Sequence, residues 1–250
     1  HEDQKFGITI ADAPSLVAEI RSHDTLEFVG LHCHIGSQIT NASPYLDALD
    51  KVLDLIEQLK REGILIHHLD LGGGLGIDYG SDTPPDITEF TNTLLNRIDE
   101  RGFGHMDVIL EPGRSLVGNA GVLLTQVEYL KTGADKNFCI VNAAMNDLMR
   151  PALYDAYHAI VPIKASTVKA ISYDVVGPVC ESGDWLGKDR VLAVKEGDVL
   201  AILSAGAYGF VMASNYNTRG RPAEVMVDGD QAHLVRERET VNSLFANERT

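Results

Sequence analysis

Residues 67–76 have the sequence His-His-Leu-Asp-Leu-Gly-Gly-Gly-Leu-Gly, a short apolar run that ends in a glycine-rich turn. Two further turns follow apolar runs in the same way: His-Ile-Gly-Ser-Gln at residues 34–38 and Glu-Pro-Gly-Arg at residues 111–114. Amphipathic helical patterns separate the three turns. Because a parallel α/β barrel presents the carboxyl ends of successive strands at one rim, this order predicts that the turns build a single site.

The first half of the chain alternates between predicted strands and predicted helices. Helices are expected from about Asp12, from Ser43 as N-cap and from Asp86 as N-cap. Their apolar stripes are Leu16, Val17 and Ile20; Leu46, Leu49, Leu53 and Ile56; and Ile87, Phe90, Leu94 and Ile98. Four strands are expected, at residues 5–10, 26–35, 64–71 and 108–110. A closed barrel needs eight, so residues 1–120 are expected to be the carboxyl-terminal portion of a (β/α)8 barrel whose amino-terminal part is missing.

The second half changes character from about Gly121. Short β-rich runs separated by Gly and Asp turns predict a mostly antiparallel β domain over residues 121–250. Only residues 146–160 look helical or loop-like within it. The expected strands lie at residues 122–129, 138–142, 167–176, 191–194, 199–203 and 224–227.

Composition is that of an ordinary globular enzyme, with 44% hydrophobic and 23% charged residues in 250. A net charge of −15 without a Lys/Arg cluster argues against a nucleic-acid partner. The three cysteines are too widely spaced for a disulfide framework or a metal knuckle, which indicates a reducing cytoplasm. No apolar run in these 250 residues is long enough to span a bilayer, and we expect no secretory signal. Because the chain begins with His1 rather than Met, we expect the native amino terminus to lie upstream.

The turn at residues 111–114 would place a carboxylate and a guanidinium together at the barrel mouth. Glu111 can keep a pyridinium nitrogen protonated, which a pyridoxal ring needs to act as an electron sink. Arg114 can bind a phosphate or a substrate carboxylate. Ser37, in the turn after the second strand, is a natural donor to a phosphate oxygen. These residue types together suit a phosphorylated pyridine ring.

The glycines of residues 72–76 would let backbone N–H groups approach an anion closely. They do not form a dinucleotide fingerprint, because the last glycine is missing at Ile77 and a proline-containing loop follows instead of a helix.

His32 and His34 share one face of a strand, which leaves two interpretations open. The pair could bind a metal, as in barrel hydrolases, with Asp70 and Glu111 available as further ligands. Alternatively, His34 packs flat on a cofactor ring and His32 is a satisfied interior residue. The metal interpretation lacks a second histidine motif at the right end of another strand, because His67 and His68 lie too early in theirs.

Three motifs in the second half carry weaker signals when taken alone. They are Arg-Pro-Ala-Leu-Tyr at residues 150–154, Cys-Glu-Ser-Gly-Asp at residues 180–184 and Gly-Ala-Tyr at residues 206–208. A thiol beside a carboxylate in a glycine-containing loop can donate a proton, but a cysteine in a β domain is more often a packed core residue.

All six motifs occur in the order found in the diaminopimelate decarboxylases. The chain resembles this branch of the fold-type III pyridoxal-phosphate enzymes, which also include ornithine decarboxylase and alanine racemase, over nearly its whole length. The resemblance implies pyridoxal 5'-phosphate as cofactor and decarboxylation of meso-2,6-diaminopimelate to L-lysine and carbon dioxide. It also implies a homodimer with shared active sites, to which the Arg150 region and the Cys180–Glu181 loop of each subunit contribute.

The resemblance also implies individual roles. His34 would stack on the pyridine ring and Glu111 would pair with its nitrogen. The cofactor phosphate would be surrounded by Ser37, Gly74, Gly113 and Arg114, with Tyr208 reaching it from the β domain. The far carboxylate of the substrate would be held by Arg114, Arg150 and Tyr154, and its far amino group by Glu181, with Tyr208 also expected among the substrate contacts. Cys180 would protonate the substrate carbon after loss of carbon dioxide.

The family needs a lysine on the first barrel strand to bind the cofactor covalently. None of the nine lysines of this chain stands in such a context. Lys195 has superficially similar neighbours, but it precedes a turn in the β half. We therefore expect these residues to belong to a longer enzyme and to be inactive alone. Two alternatives stay open: a decarboxylase of another basic amino acid, of the ornithine or arginine type, and a non-catalytic paralogue that only binds partners.

Overall fold

A computed structural model of the chain describes residues 5–249. These residues form two compact units, one of residues 5–77 and 82–115 and the other of residues 78–81 and 116–249. Each unit has a hydrophobic core of its own. The assignment of residues 1–120 and 121–250 to two domains stays a prediction.

The first unit alternates helices with parallel strands. Its elements are α1 (Ala13–Arg21), β1 (Gly30–His32), α2 (Ser43–Arg61), β2 (His68–Asp70), α3 (Ile87–Glu100), β3 (Asp107–Ile109) and the start of α4 (Arg114–Val117). The strands form one sheet in the order β1-β2-β3, and both pairings are parallel. The predicted α/β organisation of this half is therefore confirmed, and the carboxyl ends of all three strands lie on one edge.

The helices bury most of the stripe residues that their periodicity predicts, although Ile20 and Leu46 are only partly buried. Leu49, Leu53 and Ile56 of α2 lie in the core, as do Phe90, Leu94 and Ile98 of α3. Two residues expected in these stripes, Leu16 and Ile87, are exposed instead. Both stand in the first turn of their helix, where the chain has only begun to approach the core.

The two predicted N-caps have different outcomes. Asp86 caps α3, and its side chain accepts hydrogen bonds from the backbone N–H groups of Thr88 and Glu89. Ser43 is wrong as a cap, because it is already the first residue of α2. Its own N–H group instead donates to Oδ1 of Asn41 at 2.8 Å.

The strands predicted at residues 26–35 and 64–71 are too long, the one predicted at residues 108–110 is displaced by one residue, and the one predicted at residues 5–10 is wrong. Residues 5–10 form no strand, and the three strands observed among residues 5–115 are each three residues long. An apolar run shows that a segment avoids water, but a strand also requires a neighbour with which to pair. Residues 5–10 have no such neighbour in the part of the chain that the structure describes.

The second unit is built on a six-stranded sheet and a separate hairpin. Its strands are β4 (Leu123–Lys131), β5 (Phe138–Val141), β6 (Ile160–Pro162), β7 (Ile171–Val176), β8 (Trp185–Leu192), β9 (Val199–Ile202), β10 (Glu224–Asp228) and β11 (Gln231–Arg236). The large sheet has the order β6-β9-β4-β5-β7-β8, and β10 pairs with β11. All pairings except β5 with β7 are antiparallel, which confirms the predicted mostly antiparallel half.

Each of the six predicted β runs overlaps a strand of this unit, but two strands were missed and β8 begins before the predicted run. The middle of β8 breaks the apolar pattern, since Gly187, Lys188 and Asp189 interrupt it. Asp189 also has a φ of 53°, at an irregularity of the strand. The missed β6 is short, and every residue of the missed β11 is exposed.

Two helices complete the second unit, α5 (Arg150–Tyr154) and α6 (Val241–Leu244), together with short 3-10 turns at Phe210–Met212 and Tyr216–Thr218. The helical or loop-like character predicted for residues 146–160 is confirmed by α5 and its flanking loops. Over residues 5–249, no helix combines the length and the apolar character that crossing a membrane requires.

Candidate active site

The three turns that follow β1, β2 and β3 lie side by side in the first unit. Backbone hydrogen bonds continue the parallel ladder beyond the strand ends: the N–H of Cys33 donates to the carbonyl of Asp70, and that of Glu111 donates to the carbonyl of Gly72. The predicted convergence of residues 34–38, 72–76 and 111–114 is therefore observed.

The glycine run allows the turns after β1 and β2 to touch through their backbones. Gly74 has a φ of 105°, and a Cβ placed there would overlap the carbonyl oxygen of Gly36. The carbonyl of the same glycine accepts a hydrogen bond from the N–H of Ile39 at 2.9 Å. A residue with a side chain would force the two turns apart.

Tyr45 supports this junction from α2. Its hydroxyl donates to the carbonyl of Gly73 at 3.1 Å. Burial raises the pKa of Tyr45 to about 12, so the phenol stays protonated as a donor over the physiological range. The sequence analysis did not single out Tyr45, because a tyrosine in the apolar stripe of a helix is typical of a core residue.

His34 stands beside the glycine turn. The N–H of Gly73 donates to Nδ1 of His34 at 3.4 Å. This contact makes Nδ1 the acceptor, so Nε2 carries the proton in the neutral ring. The imidazole is thus held by the turn that follows the neighbouring strand.

Ser37 and Arg114 meet although 77 positions separate them in the sequence. Nη2 of Arg114 donates to Oγ of Ser37 at 3.0 Å. Arg114 begins α4 directly after Gly113, so the turn at residues 111–114 delivers the guanidinium to the hydroxyl of the turn after β1. A hydroxyl and a guanidinium in contact form a donor set suited to a phosphate or a carboxylate.

His32, Asp70 and Glu111 form a cluster at the same edge, with ligand atoms that all lie within 4.8 Å of one another. Nε2 of His32 is 3.5 Å from Oε2 of Glu111, and both side chains are exposed. The expectation that His32 is an interior residue is therefore wrong. Adjacent parallel strands bring these residues together, and the metal interpretation had required a second histidine motif that this cluster lacks. One oxygen of Asp70 already accepts the N–H of Gly72 at 2.8 Å.

In the second unit, Arg150 is buried with only 9% of its surface exposed. Its Nη1 lies 2.8 Å from Nε2 of His158, and Nδ1 of His158 lies 2.8 Å from the carbonyl oxygen of Leu203. Since the guanidinium can only donate, His158 accepts at Nε2 and donates from Nδ1, as a neutral ring. The guanidinium also lies over the ring of Tyr79, 4.7 Å from its centroid. Tyr154, at the end of the same helix, is 62% exposed.

The loop between β7 and β8 carries Cys180 and Glu181, and both side chains are exposed. Its anchor is Asp184, which is only 4% exposed. One carboxylate oxygen accepts the N–H of Met145 and the other that of Val179, each at 2.7 Å. Burial raises the pKa of Asp184, and these two hydrogen bonds act in the opposite direction.

Tyr208 is partly exposed and has a φ of 57°, a left-handed conformation that few aromatic residues adopt. It follows Gly206, at which a Cβ would overlap the backbone of Val117 and Gly121. The structure thus places each predicted residue of the second unit on a loop or a helix end of that unit. Their approach to the site of the first unit stays a prediction.

Comparison with known proteins finds one family model and several relatives that are similar to this chain. Residues 1–118 match the family model of the pyridoxal-binding domain of the pyridoxal-dependent decarboxylases. The diaminopimelate decarboxylase of Pseudomonas fluorescens is 54% identical over 247 residues. The chain is therefore similar to the pyridoxal-dependent decarboxylases.

The alignments with these relatives and solved structures cover nearly all of this chain, but only part of the length of each relative. The P. fluorescens alignment covers 99% of this chain and 59% of the relative. The diaminopimelate decarboxylase of Pseudomonas aeruginosa is 53% identical, with the same two coverages. The crystal structure of diaminopimelate decarboxylase from M. jannaschii in complex with L-lysine matches with a TM-score of 0.96 at 40% identity, covering 100% of this chain and 58% of that one.

The resemblance to the pyridoxal-dependent decarboxylases is therefore confirmed, and the chain spans just under three fifths of the length of these relatives. The role of His34 against a cofactor ring stays a prediction. Sequence reasoning missed the roles of Asp184 and Tyr45, and it left Asp70 as a mere candidate ligand. For Asp184 the sequence offered one signal, because the Cys-Glu-Ser-Gly-Asp motif at residues 180–184 ends in this carboxylate.

Proposed function

We propose that the complete protein is a pyridoxal-phosphate-dependent decarboxylase that converts meso-2,6-diaminopimelate to L-lysine and carbon dioxide. The observation that carries this proposal is the convergence of His34, the glycine turn, Glu111 and the Ser37–Arg114 pair at one edge of the parallel sheet. The identity to named diaminopimelate decarboxylases over 99% of the chain supports the choice of substrate.

The residues at this edge fit pyridoxal phosphate. Ser37 and Arg114 supply a hydroxyl and a guanidinium for the phosphate, and the adjoining turns at Gly74 and Gly113 supply backbone N–H groups. The carboxylate of Glu111 suits a protonated pyridine nitrogen, and the imidazole of His34 suits the face of the ring. When bound, this cofactor supplies the electron-withdrawing ring that makes loss of carbon dioxide feasible.

In this proposal the second unit selects the substrate and moves a proton. Arg150, together with Arg114 and the exposed Tyr154, holds the far carboxylate, and Glu181 holds the far amino group. Tyr208 contributes to the phosphate site and to substrate binding. The thiol of Cys180 delivers a proton to the substrate carbon after decarboxylation. An analogue without the second carboxylate would leave a guanidinium unpaired, which gives discrimination against other diamino acids.

We further propose a cytoplasmic homodimer with shared active sites. The three cysteines are free, which suits a reducing compartment. The exposed positions of Cys180, Glu181 and Tyr154 leave these side chains accessible to a second subunit.

The experiment that tests the substrate is an activity assay of the protein translated from the complete gene, with meso-diaminopimelate, ornithine and arginine compared. We expect turnover of diaminopimelate and release of lysine, with the other two substrates far slower. A preference for ornithine or arginine would refute the substrate assignment. Absence of both cofactor binding and turnover would favour a non-catalytic binding protein.

Two substitutions in the complete protein separate the proposed roles. Cys180→Ala should leave cofactor absorbance intact and lower kcat by roughly 10²- to 10⁴-fold, since a positioned proton donor contributes about that much. Glu111→Gln should lower kcat by roughly 10²-fold, because the ring nitrogen loses its anionic partner.

Glu128→Gln, on the exposed face of β4, is the matched control for the loss of a carboxylate and should leave turnover unchanged. Normal turnover in Glu111→Gln would remove the role assigned to that carboxylate. Loss of cofactor absorbance in Cys180→Ala would show that the thiol serves cofactor binding instead.

A further inference from the structure

The segment Ser214–Arg219 lies outside the roles assigned above, although it meets the Cys180–Glu181 loop. The hydroxyl of Tyr216 donates to Oε2 of Glu181 at 3.3 Å. The other carboxylate oxygen of Glu181 accepts the N–H of Gly183 at 3.2 Å. Both oxygens of this carboxylate are therefore engaged, and the side chain is oriented although it is exposed.

The backbone beside Tyr216 is strained. Asn217 has a φ of 59° and Thr218 a φ of 56°. The left-handed region is uncommon for residues other than glycine, and for a β-branched residue such as threonine it is an outlier. Strain of this kind persists only where the surrounding structure enforces it, and it clusters at functional sites.

Polar contacts, several of them to the buried Asn146, hold this conformation from both ends of the segment. Arg219 donates from Nε to Oδ1 of Asn146 at 2.9 Å and from Nη2 to the carbonyl of Asn142 at 2.7 Å. The fully buried Asn146 also exchanges hydrogen bonds with the backbone of Ser214, which donates its N–H at 2.9 Å and accepts at 3.2 Å. The segment is thus clamped by the strand-to-helix connection that precedes α5.

We propose that Tyr216 is a positioning residue that holds the carboxylate of Glu181 for the far ammonium group of the substrate. This inference rests on the proposed function, because it takes Glu181 as the group that binds that ammonium. The contact with Tyr216 and that with Gly183 orient the carboxylate before the substrate arrives. A substrate cation then meets a fixed anion and need not order a free side chain first.

The charge of Glu181 explains why Tyr216 remains a donor. The negative charge of Glu181 and the hydrogen bond to it, with smaller contributions from desolvation and from Cys180, raise the pKa of Tyr216. The phenol therefore stays protonated to a higher pH than an ordinary tyrosine. Removal of the Glu181 charge should bring its ionisation back towards the ordinary range.

The first test is steady-state kinetics of the complete protein with meso-diaminopimelate. Tyr216→Phe removes one hydroxyl from a side chain that is 44% exposed, so the fold should be unaffected. We expect KM to rise roughly 3- to 10-fold with kcat nearly unchanged, because the lost contact serves substrate binding. Tyr129→Phe, an exposed tyrosine on β4, is the matched control and should change neither parameter.

Glu181→Gln and the double variant complete the kinetic cycle. Glu181→Gln should raise KM more than Tyr216→Phe does, and Tyr216→Phe should add nothing in the Glu181→Gln background. If Glu181→Gln raises KM while Tyr216→Phe does not, the inference is overturned and the proposed role of Glu181 stands. If Glu181→Gln leaves KM unchanged, the proposed role of Glu181 fails, and the inference fails with it.

A second measurement does not depend on turnover. Phenolate absorbance is titrated in the unmodified protein and in Tyr216→Phe, and the difference isolates Tyr216. We expect this titration to move to lower pH in a Glu181→Gln background. An identical titration with and without the Glu181 charge would show that the two side chains do not interact, and would overturn the inference directly.

Discussion

The two units hold their candidate site residues in opposite ways. In the first unit the turns after β1, β2 and β3 are joined through backbone atoms, and the glycines make that approach possible. In the second unit the loops that carry Cys180 and Tyr216 are held by buried polar side chains, above all Asp184 and Asn146. One region therefore depends on the absence of side chains, and the other on particular side chains.

This difference predicts different responses to substitution. Where two backbones touch, any added atom has to be accommodated by displacement of the turns, and the cost is steric. Where a buried carboxylate satisfies backbone N–H groups, removal of one acceptor leaves a donor without a partner, and the cost is that of desolvation. The three predictions that follow test this contrast, in order of decreasing effect.

The largest effect is expected for Gly74→Ala. The new Cβ would overlap the carbonyl of Gly36, and a φ of 105° disfavours any L side chain. We expect a loss of about 3 to 5 kcal/mol in the free energy of unfolding, measured by urea denaturation.

Gly63→Ala is the control for Gly74→Ala. Gly63 also has a positive φ, of 77°, but a Cβ added to it would meet no atom within 4 Å. This substitution should cost only about 1 kcal/mol, from backbone strain alone. Equal losses at the two glycines would contradict the steric account of the first unit.

A smaller effect is expected for Asp184→Asn. The amide keeps one acceptor oxygen but presents an N–H₂ group to one of the two backbone donors, so about 2 kcal/mol should be lost. Hydrogen exchange should become faster at the N–H groups of Met145 and Val179, which report on the loop that carries Cys180.

Asp174→Asn is the matched control for Asp184→Asn. Asp174 is 8% exposed, lies in β7, and accepts from Lys136 and the N–H of Asp189. Because Asp174 does not contact Met145 or Val179 through these bonds, its substitution should leave their exchange unchanged. Faster exchange there in both variants would show a general loss of stability instead of a local anchor.

The smallest effect on the free energy of unfolding is expected at the two residues predicted as N-caps, Asp86 and Ser43. Asp86→Ala should lower the free energy of unfolding by about 1 kcal/mol, because it removes the acceptor for two N–H groups at the start of α3. Ser43→Ala should be nearly neutral, since this serine lies within α2 and no side-chain cap is observed there. Thermal denaturation of both variants checks the pair, and a larger loss at Ser43 would contradict the observed start of α2.

Much of the fold was predictable because its signals are local. The stripe of α2 and the cap of α3 follow from helical periodicity and capping chemistry. Residues 5–10 show the limit of that reasoning, since an apolar run does not reveal whether a partner strand exists. The interrupted β8 and the exposed β11 were difficult to predict for the same reason, because strand pairing and not an apolar pattern defines them.

The residues of the candidate site also fall into those that a local sequence motif reveals and those that only their contacts reveal. His34, Ser37, Glu111 and Arg114 were recognisable because each belongs to a short motif after a predicted strand. Asp184 and Tyr216 were not, because their significance lies in the groups that they contact. Arg150 was predicted from its motif, but its burial against His158 and Tyr79 is visible only in the structure.

The amino-acid sequence by itself determined the order of the strand-end turns, the amphipathic helices, the change to a β-rich half and the resemblance to the pyridoxal-dependent decarboxylases. These features depend on residues close together in the chain, where periodicity and turn chemistry act. Only the tertiary structure decided that Arg114 meets Ser37, that His32 lies exposed beside Glu111 and that Tyr216 reaches Glu181. Such contacts depend on strand register and on the close approach of backbones far apart in sequence, which no local pattern encodes.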